Sequence, residues 1–169
     1  MTDPKPSSGG VTITLLPPQL VALVGGVMIL VGAWLDWFRP DRQFGGPAFG
    51  LNAYDVPVKF LFRDRGLFFD RGGPTIGWLL LLVGIVCVVA ALARPVSFLA
   101  LPGGVGAFGL AVWYALRLRD FLDPIGDFAP SFGETLGLGT IAVAVGGIVA
   151  AVGGILGTTG RPAVASPPS

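Results

Sequence analysis

The chain has 169 residues, 53% of them apolar and only 12% charged, with a mean hydropathy of +0.77 and a formal net charge of +1. A near-neutral chain has no global field to attract nucleic acid, and a soluble fold cannot hide that much apolar surface. The single cysteine, Cys87, and the absence of histidine exclude an intrachain disulfide, a cysteine metal cluster, the usual zinc sites and histidine acid–base chemistry; no metal site and no cofactor are expected.

Residues 1–14, MTDPKPSSGGVTIT, are polar and rich in Pro, Ser and Gly, and read as a disordered tail. The apolar run after Pro18 is long enough to span a membrane, so the segment is not expected to be a cleaved signal peptide. Four uncharged runs follow one another, at 15–35, 74–93, 96–116 and 135–157. A hydrocarbon core of about 30 Å needs roughly 20 helical residues at about 1.5 Å each. The expected fold is therefore an all-α integral membrane protein: a four-transmembrane-helix bundle, multi-pass in the cell membrane, with a long aromatic-rich loop between helices 1 and 2. Spans are placed at about 15–38, 74–93, 96–117 and 135–157, with cap loops at 39–73 and 118–134 and a second disordered tail at 159–169. The competing reading, four buried helices of a soluble protein, needs polar interruptions that these runs lack.

Between the second and third runs only Arg94 and Pro95 intervene, which forces an antiparallel hairpin. Pro102, near the start of the third run, predicts a bend there. Small residues recur at four-residue spacing in the third run, at Gly103, Ala107, Ala111 and Ala115. The fourth run repeats the pattern at Ala142, Gly146, Ala150 and Gly154, beside a second ridge of Gly139, Gly147 and Ala151. Such ridges mark contact faces between helices in lipid, here within the bundle, with a homodimer seam as the other use. Ala22-Leu-Val-Gly-Gly-Val27 also recurs as Ala100-Leu-Pro-Gly-Gly-Val105, an echo that suits a duplicated two-helix unit, although these residues are the commonest in such helices.

Four spans put the two loops on one side and both tails with the Arg94 turn on the other. All four tryptophans, both tyrosines, ten of twelve phenylalanines and nine of ten acids fall on the loop side or at its edge. Aromatic belts normally occupy both interfaces, so the asymmetry predicts a folded cap. Within it, 55–63 could form a short interfacial helix with Val58, Leu61 and Phe62 on one face and Lys59 and Arg63 on another, or run extended. Eight Lys or Arg on the loop side against three on the tail side place the loops in the cytoplasm by the positive-inside rule.

The first run ends Gly32-Ala-Trp-Leu-Asp-Trp37 and leads into a Gly- and aromatic-rich loop with three further runs. In this it resembles small four-span membrane proteins of actinobacteria, and in layout only it is similar to claudins, whose paired loop cysteines it lacks. The resemblance implies cytoplasmic tails and an exterior cap, opposite to the charge count.

The span interiors hold no Asp, Glu, Lys or Arg, which argues against proton-coupled transport, ion pumping and voltage sensing. Asp123, Asp127, Ser131 and Glu134 could serve an enzyme, but no motif fixes them, and a solvated acidic loop is the simpler reading. Asp36 stands at the bundle mouth either as a ligand contact or paired with Arg39, Arg117 or Arg119. The glycines of Gly103-Gly-Val-Gly106 lack the strand and lysine of a phosphate loop. The candidate binding residues are Trp34, Asp36, Trp37, Trp78, Trp113 and Arg117; the helix-packing residues are Gly103, Ala107, Ala111, Gly146, Ala150 and Gly154. The expected role is a non-enzymatic accessory or assembly subunit that contacts a membrane protein partner, or a second copy, through its aromatic face. Binding or carrying lipid is the alternative; membrane lipid surrounds the chain in either case, and nucleic acid is not a partner.

Overall fold

The structure, a computed structural model, describes residues 17–39, 50–62, 73–123 and 131–159. The protein is mostly helical. Four long helices, α1 (Pro17–Trp34), α2 (Ile76–Leu92), α3 (Ala100–Leu122) and α5 (Leu138–Thr159), form a ring in which α1 packs on α2, α2 on α3, α3 on α5 and α5 on α1. The stretch from Val96 through α3, and α5, are each long and apolar enough to cross a membrane; α1 and α2 are apolar but shorter. Between them lie β1 (Asp36–Phe38), β2 (Leu51–Asn52), a 3-10 turn at Val58–Leu61, a second at Arg94–Leu99 and the one-turn α4 (Phe132–Thr135). The expected tail at 1–14, that at 159–169 beyond Thr159, and the loop segments 40–49, 63–72 and 124–130, with Asp127 among them, lie outside the described residues.

Small residues set the helix spacing. A Cβ on Gly25 would land on the backbone of Ala150 and Gly146, and one on Gly104 on the backbone of Gly147 and Ala151. Without a side chain at these crossings the backbones meet directly, which is how apolar helices associate without a hydrophobic drive. The two Gly-Gly pairs of the sequence echo split their contacts in opposite order: Gly25 and Gly104 face α5, whereas Gly26 and Gly103, the other member of each pair, lie against Cys87 of α2. The outer faces are the reverse. Val24, Val27 and Val31 of α1, Leu82 and Val89 of α2, Val105 and Leu116 of α3, and Ile141, Ile148 and Val152 of α5 are all exposed.

Several boundaries differ from the sequence reading. The first span was expected to 38, yet α1 stops at Trp34 because Asp36–Phe38 is drawn into antiparallel pairing with Leu51–Asn52. The third was expected to end at 117, but α3 runs on to Leu122, carrying Arg117, Arg119 and Asp120 on the helix. The fourth begins at Leu138 and not at 135, since Leu136 pairs with Phe38 as an isolated bridge. Pro102 takes the third position of α3, in the first turn, where a missing N–H leaves no helical bond unmade; the irregular backbone precedes it, as the 3-10 turn at Arg94–Leu99. Of the described residues of the 55–63 stretch, which end at Phe62, only Val58–Leu61 is helical, with Phe60 and Leu61 buried and Phe62 exposed.

Candidate aromatic contact site

The loop end is a packed cap. Phe38 is flanked by Leu51 on one side and Leu136 on the other, and Arg39 N–H donates to the Thr135 carbonyl at 2.9 Å, so both loops converge on β1. Gly137 packs against the Asp36 carbonyl so closely that no Cβ could sit there. The turn 53–56 closes the helix ends: Ala53 N–H donates to the Ala33 carbonyl at 3.2 Å, while Val56 and Ala53 carbonyls accept from Ile76 and Gly77 N–H at 2.9 and 2.8 Å. Helix termini otherwise leave such groups unpaired. The turn itself is held by Asn52, whose side-chain carbonyl accepts from Tyr54 N–H at 2.9 Å, and by Asp55, whose carboxylate accepts from Asn52 N–H at 3.2 Å.

The structure separates the candidate tryptophans by environment. Trp37 is 0% exposed. Its indole N–H turns back to the Gly32 carbonyl at 2.9 Å, and its ring meets Tyr114 edge-on at a centroid distance of 4.9 Å. Tyr114 donates its hydroxyl to the Trp37 carbonyl at 3.4 Å and packs on Phe60, which in turn meets Phe121. Trp37 is thus the core of the cap, and as a binding candidate it is corrected: a fully buried ring with its donor engaged offers no surface.

Trp34 and Trp78 are 67% and 62% exposed and flank Tyr54, at centroid distances of 4.8 Å and 5.8 Å. This three-ring patch joins the ends of α1 and α2. The Tyr54 hydroxyl is buried with no hydrogen-bond partner among the described residues. Gly77 is what admits the Tyr54 ring, which lies 2.5 Å from the position a Cβ would take. Sequence reasoning did not single out Tyr54; the signal was the turn Asn52-x-x-Asp55, which presents the residue between them.

Trp113 sits apart, on α3, with Phe62 at a centroid distance of 5.3 Å. Together they border an open groove of about 590 Å³ along α3, floored by Gly109 and walled by Phe108, Val112 and Leu116, with Arg117 and Asp120 at its head. Arg117 donates through Nε to the Leu61 carbonyl at 3.1 Å, which ties the cap turn to α3. Asp36 is paired with Arg39, 3.3 Å from Nε to Oδ2, with both side chains well exposed, an arrangement that contributes at most about 1 kcal/mol. Ser131 donates to the Glu134 carboxylate at 2.7 Å across α4, while Asp123 lies just past the end of α3.

The packing candidates also divide. Gly146 abuts Met28 and Ile29 of α1, and Ala150 abuts Gly25, whereas Gly154 abuts Leu101 of α3. Ala107 and Ala111 are buried, and Gly103 faces Cys87. Among the described residues no group of three His, Cys, Asp or Glu could hold a metal ion. No protein-family model, curated protein or solved structure matches this chain.

Proposed function

We propose that this chain is a non-enzymatic, four-span protein of the cell membrane, an accessory or assembly subunit that contacts a membrane protein partner through the Trp34–Tyr54–Trp78 patch. The observation that carries the reading is the inside-out distribution of side chains. Glycine and alanine fill the helix contacts, large aliphatics cover the exposed faces, and exposed tryptophan is concentrated at one end. Lipid accepts such an exterior and water does not. α1 and α2, with 18 and 17 residues, measure about 27 and 26 Å, a few ångströms short of the hydrocarbon core. A bilayer accommodates that mismatch locally at modest cost.

Isolated interfacial tryptophans anchor a helix. Three rings in tilted and edge-on contact across two helices and a loop form a continuous aromatic surface instead, the composition that protein contact cores favour. The groove beside Phe62 and Trp113 supports a second activity, lipid binding.

The test is purification from native membranes in mild detergent, with a photo-crosslinking residue at position 78. A single protein, crosslinked from that position, present at one-to-one stoichiometry and lost in the Trp34→Ala/Trp78→Ala double variant, supports the reading. Crosslinking only to lipid, or unchanged association in the double variant, defeats it. Crosslinking only to a second copy of the chain replaces the partner with a homo-oligomer.

A further inference from the structure

The groove on α3 differs in chemistry from the Trp34 patch. Its floor is open because a Cβ built on Gly109 would meet nothing within 4 Å. Phe108, Val112, Trp113 and Leu116 make it apolar along its length, and it becomes polar only at the head, at Arg117 and Asp120. Asp120 lies twelve positions after Phe108 on one continuous helix, about 18 Å along its axis. Half of a hydrocarbon core is about 15 Å, so the groove reaches from the polar edge to the midplane: the depth of one lipid leaflet.

The head of the groove carries one charge of each sign. Arg117 is oriented by the bond from its Nε to the Leu61 carbonyl, and its Nη1 stands 3.9 Å from Asp120 Oδ2, too far for a hydrogen bond. The two charges thus form a long ion pair that no hydrogen bond closes, with side chains 30% and 66% exposed, a weak pairing that a headgroup can replace. A phosphate beside an ammonium is the complement of this pair: the phosphate takes the guanidinium, which suits it geometrically, and the ammonium takes the carboxylate. A headgroup that is only anionic would meet Asp120 unfavourably.

We propose that the α3 groove binds one phospholipid with an ethanolamine headgroup, its phosphate on Arg117, its ammonium on Asp120 and an acyl chain over Gly109. The inference rests on the membrane-spanning reading and is independent of the Trp34 patch. It is tested by reconstituting the purified chain in nanodiscs of equal phosphatidylethanolamine and phosphatidylglycerol, then counting retained lipid by native mass spectrometry. Wild type is expected to hold one phosphatidylethanolamine per chain. Gly109→Leu, whose Cβ meets nothing within 4 Å and whose side chain extends into the groove, is expected to lower that retention about tenfold, and Asp120→Asn to move the preference toward phosphatidylglycerol. Equal retention by wild type and Gly109→Leu, indifference to headgroup, or a photo-crosslink from position 112 to a protein helix would each overturn the site. Carbonate extraction of the native membranes from which the chain is purified keeps the two readings distinct. Chain in the membrane pellet that holds no lipid by mass spectrometry sinks the lipid site alone, and chain in the soluble fraction sinks the membrane reading.

Discussion

Trp34 and Trp37 stand three positions apart, a spacing that on a continued helix would put both rings on one face. The helix ends at Trp34, so Trp37 falls within the strand Asp36–Phe38 and swings inward, capping the orphan Gly32 carbonyl with its indole and packing on Tyr114. The two residues should therefore respond differently to truncation. Trp37→Ala removes a fully buried indole, a loss of about 3–5 kcal/mol, read as a fall of roughly 10 °C in the midpoint of thermal unfolding in detergent. Trp37→Phe keeps most of the ring but strands the Gly32 carbonyl, at about 1–3 kcal/mol. Trp34→Ala, at an exposed ring, is expected within about 0.5 kcal/mol of wild type while weakening partner association. Equal destabilisation by the two alanine variants would refute the division between core and surface. The sequence carried the aromatic cluster but not this division, because inward or outward depends on where α1 stops. That is fixed by pairing with Leu51–Asn52, fifteen residues downstream of Trp37 at Asn52 and invisible to local periodicity.

The helices were legible as apolar runs, and the small residues as contact positions, but not which helix each would meet. A row of residues taken strictly every four positions drifts by about 40° per step, roughly 80° over the two steps from Gly146 to Gly154. That drift carries Gly146 to α1 and Gly154 to α3, and on α3 it is Gly104, not Gly103, that meets α5. Substitutions on one helix should split accordingly. Gly146→Leu drives a side chain into Met28 and the backbone of Gly25 and Ile29, beyond the usual 1–3 kcal/mol of overpacking, so monodisperse protein should be lost in detergent size-exclusion. Gly106→Ala, where a Cβ meets nothing within 4 Å, should raise stability by up to about 1 kcal/mol through helix propensity. The cap offers a parallel pair: Gly137→Ala collides with the Asp36 carbonyl and should detach α5 from β1, whereas Gly133→Ala finds open space and should be silent. A destabilised Gly106→Ala, or a Gly137→Ala variant that melts like wild type, would contradict these contacts.

The even number of apolar runs puts the two loops at one end and the aromatic asymmetry predicts a folded cap there; in the structure β1 pairs with residues from both loops. The opposite end is assembled just as directly, since Ser97 of the α2–α3 turn lies beside Gly157 near the end of α5. If all four long helices cross the bilayer, single cysteines at Lys59 and Ser131 must report one compartment, and those at Ser97 and Thr158 the other. The native thiol provides a silent background, because Cys87 is 0% exposed. The charge count predicts one orientation, with eight cationic residues on the loop side against three: each Lys or Arg near a span end resists translocation, which would put the cap in the cytoplasm, whereas the resemblance to four-span actinobacterial proteins implies the reverse. In intact cells a membrane-impermeant maleimide should label Ser97→Cys and Thr158→Cys, and should reach Lys59→Cys and Ser131→Cys only after permeabilisation. The inverse pattern would keep four spans and reverse the orientation. Labelling that separated Lys59→Cys from Ser131→Cys would break the even number of crossings on which the partner surface and the lipid groove both depend, because the two ends of the bundle would then no longer be single faces of one membrane domain.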